Sequence, residues 1–311
     1  MIEVKQAPPK KIVQNNANLF EKLRIPPLVE YTAELGFLLP NKNLRLFVQD
    51  HHKNPGGTIK DWRARRILDQ IGFNLKINRL VIVTAGNAGY SARMFFPEKE
   101  VVCVVDEKTN GKITKKLEKV HAKVLKLDLS TKLHSKEEIV KFVAKKLGDE
   151  NKKAMEISSG FHDAYKPLLK SITREIRWFR RKEIPKQTAI HVVFPIGSGE
   201  VATGFISSLD DENMRLVAVS PSENPSIADK LNGKNRLYEN YLSYYFQFKG
   251  SPLQWLRIGE NEIFNACWEV NALKTLKSEE SAAIAFAALP KIEAKEGDTI
   301  VVVNTGWGIR A

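Results

Sequence analysis

The side chain best placed for covalent chemistry in this 311-residue sequence is Lys60, in the segment KNPGGTIKDW at residues 53–62. The run before it, LRLFVQD at 44–50, alternates apolar and polar residues and reads as a strand. Behind it Trp62, Ile67, Leu68 and Ile71 recur at near-helical spacing, with Arg63, Arg65, Arg66 and Asp69 between them. Lys60 therefore lies where a strand hands over to a helix, on a turn kept open by Pro55, Gly56 and Gly57. Taken out of water beside cationic or dipolar groups, a lysine favours its neutral amine, which attacks carbonyl carbon and forms a Schiff base. A lone lysine is ordinarily a solvated surface residue, so the case depends on its company.

Three more glycine-bearing turns follow, each after an apolar run. The run Leu80 to Val83 ends in Thr84, Ala85, Gly86, Asn87 and Ala88. The segment AIHVVFPIGSGEVATG at 189–204 ends its strand in Gly197, Ser198 and Gly199, and TIVVVNTGWGIR at 299–310 ends in Thr305, Gly306, Trp307 and Gly308. Ligands of open parallel sheets bind beyond the carboxyl ends of the strands, so four such turns can converge on one small molecule. The Gly197–Gly199 turn opens a helical segment, EVATGFISSL. Such a turn offers a phosphate several N–H donors and the positive end of a helix dipole.

In this order and spacing, Lys60, Asn87, Gly197–Gly199 and Thr305 resemble the fold-type II pyridoxal-phosphate enzymes, the tryptophan synthase β-like family, and within it threonine synthase and its relatives. The resemblance runs from PPLVEY at 26–31 to the C-terminus. It implies an α/β fold of two open, mostly parallel twisted sheets covered by helices. The cofactor would lie in the cleft between a smaller mobile domain, residues 51–164, and a larger one, residues 1–50 with 165–311. Lys60 would hold pyridoxal 5'-phosphate and move protons on the substrate. Asn87 would hydrogen-bond the ring hydroxyl, Gly197, Ser198 and Gly199 would cradle the phosphate, and Thr305 would face the pyridine nitrogen. Thr84, Ala85, Gly86, Asn87 and Ala88 would receive the α-carboxylate of a small amino-acid substrate. The implied chemistry is elimination or replacement at Cβ or Cγ. Threonine synthase activity, O-phosphohomoserine to threonine and phosphate, stands ahead of cysteine synthase-like, threonine or serine dehydratase and diaminopropionate lyase activities. A homodimer is implied as well.

The chain departs from the family pattern at several places. The carboxylate loop often reads Ser-Gly-Asn-Thr and is Ala85-Gly86-Asn87-Ala88 here, so carboxylate binding must lean on backbone N–H groups and Thr84. Gly56 stands where a threonine is common, and Trp62 where an arginine is usual, with Arg63 one place later. Glu200 follows the phosphate turn directly; its carboxylate would repel a phosphate and should point away or meet a cation. Two readings of other kinds stay open. Gly197 to Ala202 fits the dinucleotide fingerprint G-x-G-x-x-A of a dehydrogenase. The next strand, LVAVS, however, ends in Ser220-Pro221, with Glu223 beyond the place of the ribose-binding acid. The losses at Ala85 and Ala88 also suit a protein that keeps the fold and binds without catalysis.

Hydrophobic content of 43% and charged content of 27% are those of a soluble globular protein long enough for two domains. No apolar run approaches the ~20 residues of a membrane span, and the N-terminus lacks the apolar core of a secretory signal. The expected compartment is the cytoplasm. Cys103 and Cys267 sit in apolar surroundings and read as buried free thiols, without the spacing of a metal site. The net charge of +13 is concentrated, with fourteen lysines in residues 108–153. Ile139, Val140, Phe142, Val143 and Leu147 interleave there at helical spacing, which favours solvated helix faces over a nucleic-acid surface. The positive field also suits an anionic substrate.

Strand-like and helix-like segments alternate almost throughout, which argues for parallel sheets with helices on both faces. Helices are expected near 88–96, 111–121, 135–147, 162–182 and 200–209, and one over 278–292 started by Ser278. Residues 222–278 read as loops with short elements. His51 and His52 read as a solvated pair, and His162 with Asp163 as a helix start.

Overall fold

The computed structural model describes residues 19, 21–71, 74, 76–84, 86–129, 131, 134–183, 188–210, 213–222 and 253–308. Of the positions singled out above, Ala85, Glu223 and most of the irregular stretch lie outside them.

The apolar runs become two sheets. The larger has the order β1-β2-β10-β7-β8-β9 and comprises β1 (Leu28–Glu30), β2 (Arg45–Asp50), β7 (Ile190–Pro195), β8 (Met214–Pro221), β9 (Leu253–Ile258) and β10 (Thr299–Asn304). Only the β1–β2 pairing is antiparallel. The smaller sheet is wholly parallel, in the order β5-β4-β3-β6: β3 (Arg79–Val83), β4 (Glu100–Asp106), β5 (Lys123–Leu127) and β6 (Ala154–Glu156). The expected α/β architecture holds. β7 and β10 are buried at every position, as continuous apolar strands covered on both faces must be. Successive side chains alternate between two cores. Leu46, Val48, Ile300 and Val302 pack on one face of the large sheet, and Phe47, Val301 and Val303 on the other. The small sheet repeats this, with Leu80 and Ile82 facing one cluster and Val81 and Val83 another.

The helices that bear on the site are α2 (Lys60–Ile71), α3 (Asn87–Phe95), α6 (Lys166–Glu183), α7 (Glu200–Ile206), α8 (Glu260–Ala272) and α9 (Glu280–Ala287); α1 (Thr32–Leu35), α4 (Gly111–Lys119) and α5 (Lys136–Leu147) complete the α-helices of the described residues. The lysine-rich stretch is the outer face of α4 and α5. Ile113, Leu117, Ile139 and Val143 are buried, while Lys112, Lys115, Lys116, Lys141, Lys145 and Lys146 are exposed. Among the described residues no helix is long and apolar enough to cross a membrane, and no group of side chains is disposed to hold a metal ion. Both cysteines are buried and free.

Several boundaries differ from expectation. The stretch at 222–278 contains β9 and the thirteen-residue α8, whose buried Ile263, Ala266, Cys267 and Val270 have helical spacing; exposed Phe264 and Trp268 between them mask it in the sequence. The helix after it begins at Glu280, not Ser278, because the Ser278 hydroxyl donates to Asn304 Oδ1 at 3.0 Å. α7 stops at Ile206, where the Ser207 and Ser208 hydroxyls bond the Gly204 carbonyl. The segment 162–165 is a separate 3₁₀ turn ahead of α6, and Asp163 there pairs with Arg66 at 2.6 Å.

Candidate active site

The loop that carries Lys60 is held by buried side chains. β2 ends in Gln49 and Asp50, polar but buried. His51 follows, also buried, with Nε2 at 3.1 Å from Gln49 Oε1 and Nδ1 at 3.1 Å from Asn54 Nδ2. Asn54 Nδ2 also donates to the Thr58 carbonyl at 2.9 Å. His51 is thus a strut rather than a solvated residue, and burial pushes its pKa down to about 3. His52, partly exposed, sets Nδ1 2.6 Å from Asp50 Oδ2. Past the glycines, Asp61 accepts from the Gly56 N–H and from the Ser91 hydroxyl, each at 2.6 Å. A Cβ at residue 56 would strike this carboxylate, which accounts for glycine where the family favours threonine. Burial raises the Asp61 pKa to about 6.

Lys60 is the first residue of α2, and its backbone N–H donates to Thr58 Oγ1 at 3.3 Å. Its Nζ lies 3.5 Å from the hydroxyl of Tyr165, which is wholly buried. Burial is the largest cause lowering the lysine's pKa; Glu200 opposes it and Arg63 adds to it. One turn along α2, Arg63 Nε donates to Glu200 Oε2 at 2.7 Å, and its other nitrogen donates to the Ile157 carbonyl. Glu200 Oε1 accepts from the Phe161 N–H at 3.2 Å. Glu200, which follows the 197–199 turn, therefore meets a cation, and that ion pair sets the helix of Lys60 against the turn. Gly199 adopts a φ of 81° as it opens α7, a conformation that favours glycine. Gly197 and Ser198 are partly exposed beside it.

The C-terminal turn closes the other side. The Thr305 carbonyl accepts from the Ile59 N–H at 2.9 Å, Thr58 forms a β-bridge with Gly306, and the Trp307 and Gly308 N–H groups both point to the Gly57 carbonyl. A Cβ on Gly306 would collide with that carbonyl, and one on Gly308 with the Asn87 amide. Asn87 Nδ2 donates to Glu279 Oε1 at 2.8 Å, and the Glu279 N–H donates to the Gly306 carbonyl. At the head of α3, Thr84 Oγ1 accepts from the Gly86 and Gly89 N–H groups at 3.0 and 3.2 Å. Those two amides are therefore turned to Thr84.

The structure thus gathers Lys60, Asn87, the 197–199 turn and Thr305 about one place. Around them it adds Tyr165, Glu279 and the Arg63–Glu200 pair. Tyr165 and Glu279 carry no motif; each was legible only as part of a helix start.

The class defined by this arrangement is an α/β enzyme of two mostly parallel sheets with a partly buried lysine beside glycine-rich turns at strand ends. The family model described as pyridoxal-phosphate dependent enzyme matches residues 27–306, and the chain belongs to that family. Its cofactor is pyridoxal 5'-phosphate. Solved structures share the fold. An O-acetylserine dependent cystathionine β-synthase from Helicobacter pylori superposes with a TM-score of 0.70 at 19% identity, covering 99% of this chain and 96% of that one. A serine racemase from Dictyostelium discoideum gives 0.69 at 15% identity, covering 97% and 98%. A diaminopropionate ammonia lyase from Escherichia coli gives 0.69 at 13% identity, covering 98% and 91%. No curated protein matches the chain by sequence. The donor set suits the cofactor: a desolvated amine for the aldehyde, a glycine turn for the phosphate and a threonine at a strand end.

Proposed function

We propose that this chain catalyses elimination or replacement at the β or γ carbon of a small amino acid, with Lys60 as the residue that holds the cofactor. The observation that carries this reading is the Lys60 amine, partly buried at the opening of α2 and tied through Arg63 and Glu200 to the 197–199 turn and through Ile59 to Thr305. Pyridoxal phosphate, when bound, supplies an electron sink for negative charge at the substrate's Cα. Gly197, Ser198 and Gly199 would bind its phosphate, the Thr305 hydroxyl would face its pyridine nitrogen, and Asn87 would face its ring hydroxyl. The Lys60 amine takes a proton from Cα and returns one as the product leaves. For the substrate carboxylate the 84–88 turn would offer the Thr84 hydroxyl proton and the Asn87 and Ala88 N–H groups at the start of α3.

The substrate the motifs favour is O-phosphohomoserine, giving threonine and phosphate, and the net charge of +13 suits that anion. Chemistry at Cβ, as in cysteine synthase-like enzymes or dehydratases, is the second reading, supported by the fold shared with a protein described as O-acetylserine dependent. Residues 51–164 would form a smaller mobile domain that closes on the substrate and keeps water out. The working form would be a cytoplasmic homodimer. Incubation of the holoenzyme with O-phosphohomoserine, O-acetylserine, serine and threonine tests the reading, with phosphate, acetate and keto-acid release as readouts. Turnover of the first supports threonine synthesis, turnover of the others moves the chemistry to Cβ, and turnover of none contradicts the proposal.

A further inference from the structure

Among the described residues Tyr165 is the side chain whose polar atom reaches the Lys60 amine, and that amine is the only partner of the tyrosine hydroxyl. The phenol is fixed from three sides. The turn His162–Tyr165 lies directly on α7 because Gly204 has no Cβ; a methyl there would strike the His162 carbonyl and come within 2.9 Å of Tyr165 Cβ. Asp163 on the same turn is pinned to α2 by Arg66. The ring stands with its centroid 5.6 Å from Lys60 Nζ, within range of a cation–π contact. Burial and the charge of Glu200 push the phenol's ionisation well above its usual range. At neutral pH it therefore stays a hydroxyl and is no base. The charged groups facing the pair are Glu200 from α7 with Arg63 and Asp61 from α2.

Resting on the reading of Lys60 as the cofactor-bearing lysine, we propose that Tyr165 is a positioning residue: its hydroxyl accepts from the Lys60 amine whenever that amine is free of its covalent bond and keeps it aimed at the site. The ring contributes to the same end.

The test mixes cofactor-free full-length protein with pyridoxal phosphate across a pH series and records how fast the visible band of the bound cofactor appears. That rate follows the neutral fraction of Lys60 and rises through the amine's pKa. Tyr165→Phe removes the acceptor oxygen and keeps the ring, so the midpoint should move down by about one pH unit, with the melting temperature little changed. A midpoint that stays in place or moves up overturns the proposal. If Tyr165→Phe fails to fold, wild-type protein grown with 3-fluorotyrosine gives the second arm. Its weaker acceptor oxygen should produce a smaller downward shift, and no shift again overturns it. A wild-type protein that develops no visible band at any pH would instead remove Lys60 from its assigned role, and Tyr165 with it.

Discussion

Replacing Glu200 by alanine probes the joint between the helix of Lys60 and the 197–199 turn. The Arg63 and Glu200 side chains are 3% and 6% exposed, so neither charge is hydrated. Glu200 satisfies Arg63 Nε at 2.7 Å and the Phe161 N–H at 3.2 Å. Its removal leaves a buried guanidinium without its carboxylate and an orphaned backbone donor. Breaking one side of a buried pair in this way costs about 3–5 kcal/mol, a large part of a total near 5–15 kcal/mol. With a urea slope of about 3 kcal/mol/M, the midpoint of unfolding falls by a little over 1 M at unchanged slope. The double variant Arg63→Leu with Glu200→Leu should regain most of that loss, since apolar replacement of both partners removes the desolvation penalty as well as the attraction. A loss below about 1 kcal/mol for Glu200→Ala would place the pair in water and refute the reasoning. So would a double variant as unstable as the single one.

Two further outcomes follow from the loop and its closure. His51, with its pKa near 3 against an ordinary 6.5, contributes stability that is full above pH ~6.5 and is lost as pH falls toward 3, because only the unfolded chain takes up the proton in that window. By pH 4.5 the loss from this group is about 2.5 kcal/mol, and urea midpoints measured across pH should show that acid limb in the wild type and a flatter one in His51→Gln. Gly306 has a φ of 126° and faces the Gly57 carbonyl, so Gly306→Ala should cost about 1–3 kcal/mol and separate the C-terminal turn from the lysine loop. Titration of the apoprotein with pyridoxal phosphate should then show affinity down by at least about tenfold.

What the sequence made legible was local. β7 and β10 are unbroken apolar runs ending in glycine turns, and the four turns could be seen to belong at strand ends before any strand was paired. The capped α5 reads equally directly: Ser135 and Glu138 bond reciprocally at its start, and Gly148 ends it at a φ of 62°. The contacts that join the turns were not legible, because they come from residues far apart in the chain. Nothing near Tyr165 announces that Gly204 will let its turn settle on α7, or that Lys60, 105 positions away, will reach its hydroxyl. Glu279 does stand at a helix start, but nothing beside it announces that it also receives the Asn87 amide across 192 positions. Gly56 looked like a lost hydroxyl, and its cause is the Asp61 carboxylate five residues on. His51 was misjudged because a loop histidine gives no sign of the Gln49 and Asn54 side chains that enclose it.

The central claim is that one lysine among many holds the cofactor. Borohydride reduction of the pyridoxal-phosphate-loaded protein, followed by peptide mass mapping, tests it directly. The account predicts the reduced cofactor on the peptide containing Lys60, together with loss of both the label and the visible band in Lys60→Ala. Label on another lysine of the wild type, or a visible band that survives in Lys60→Ala, would contradict it.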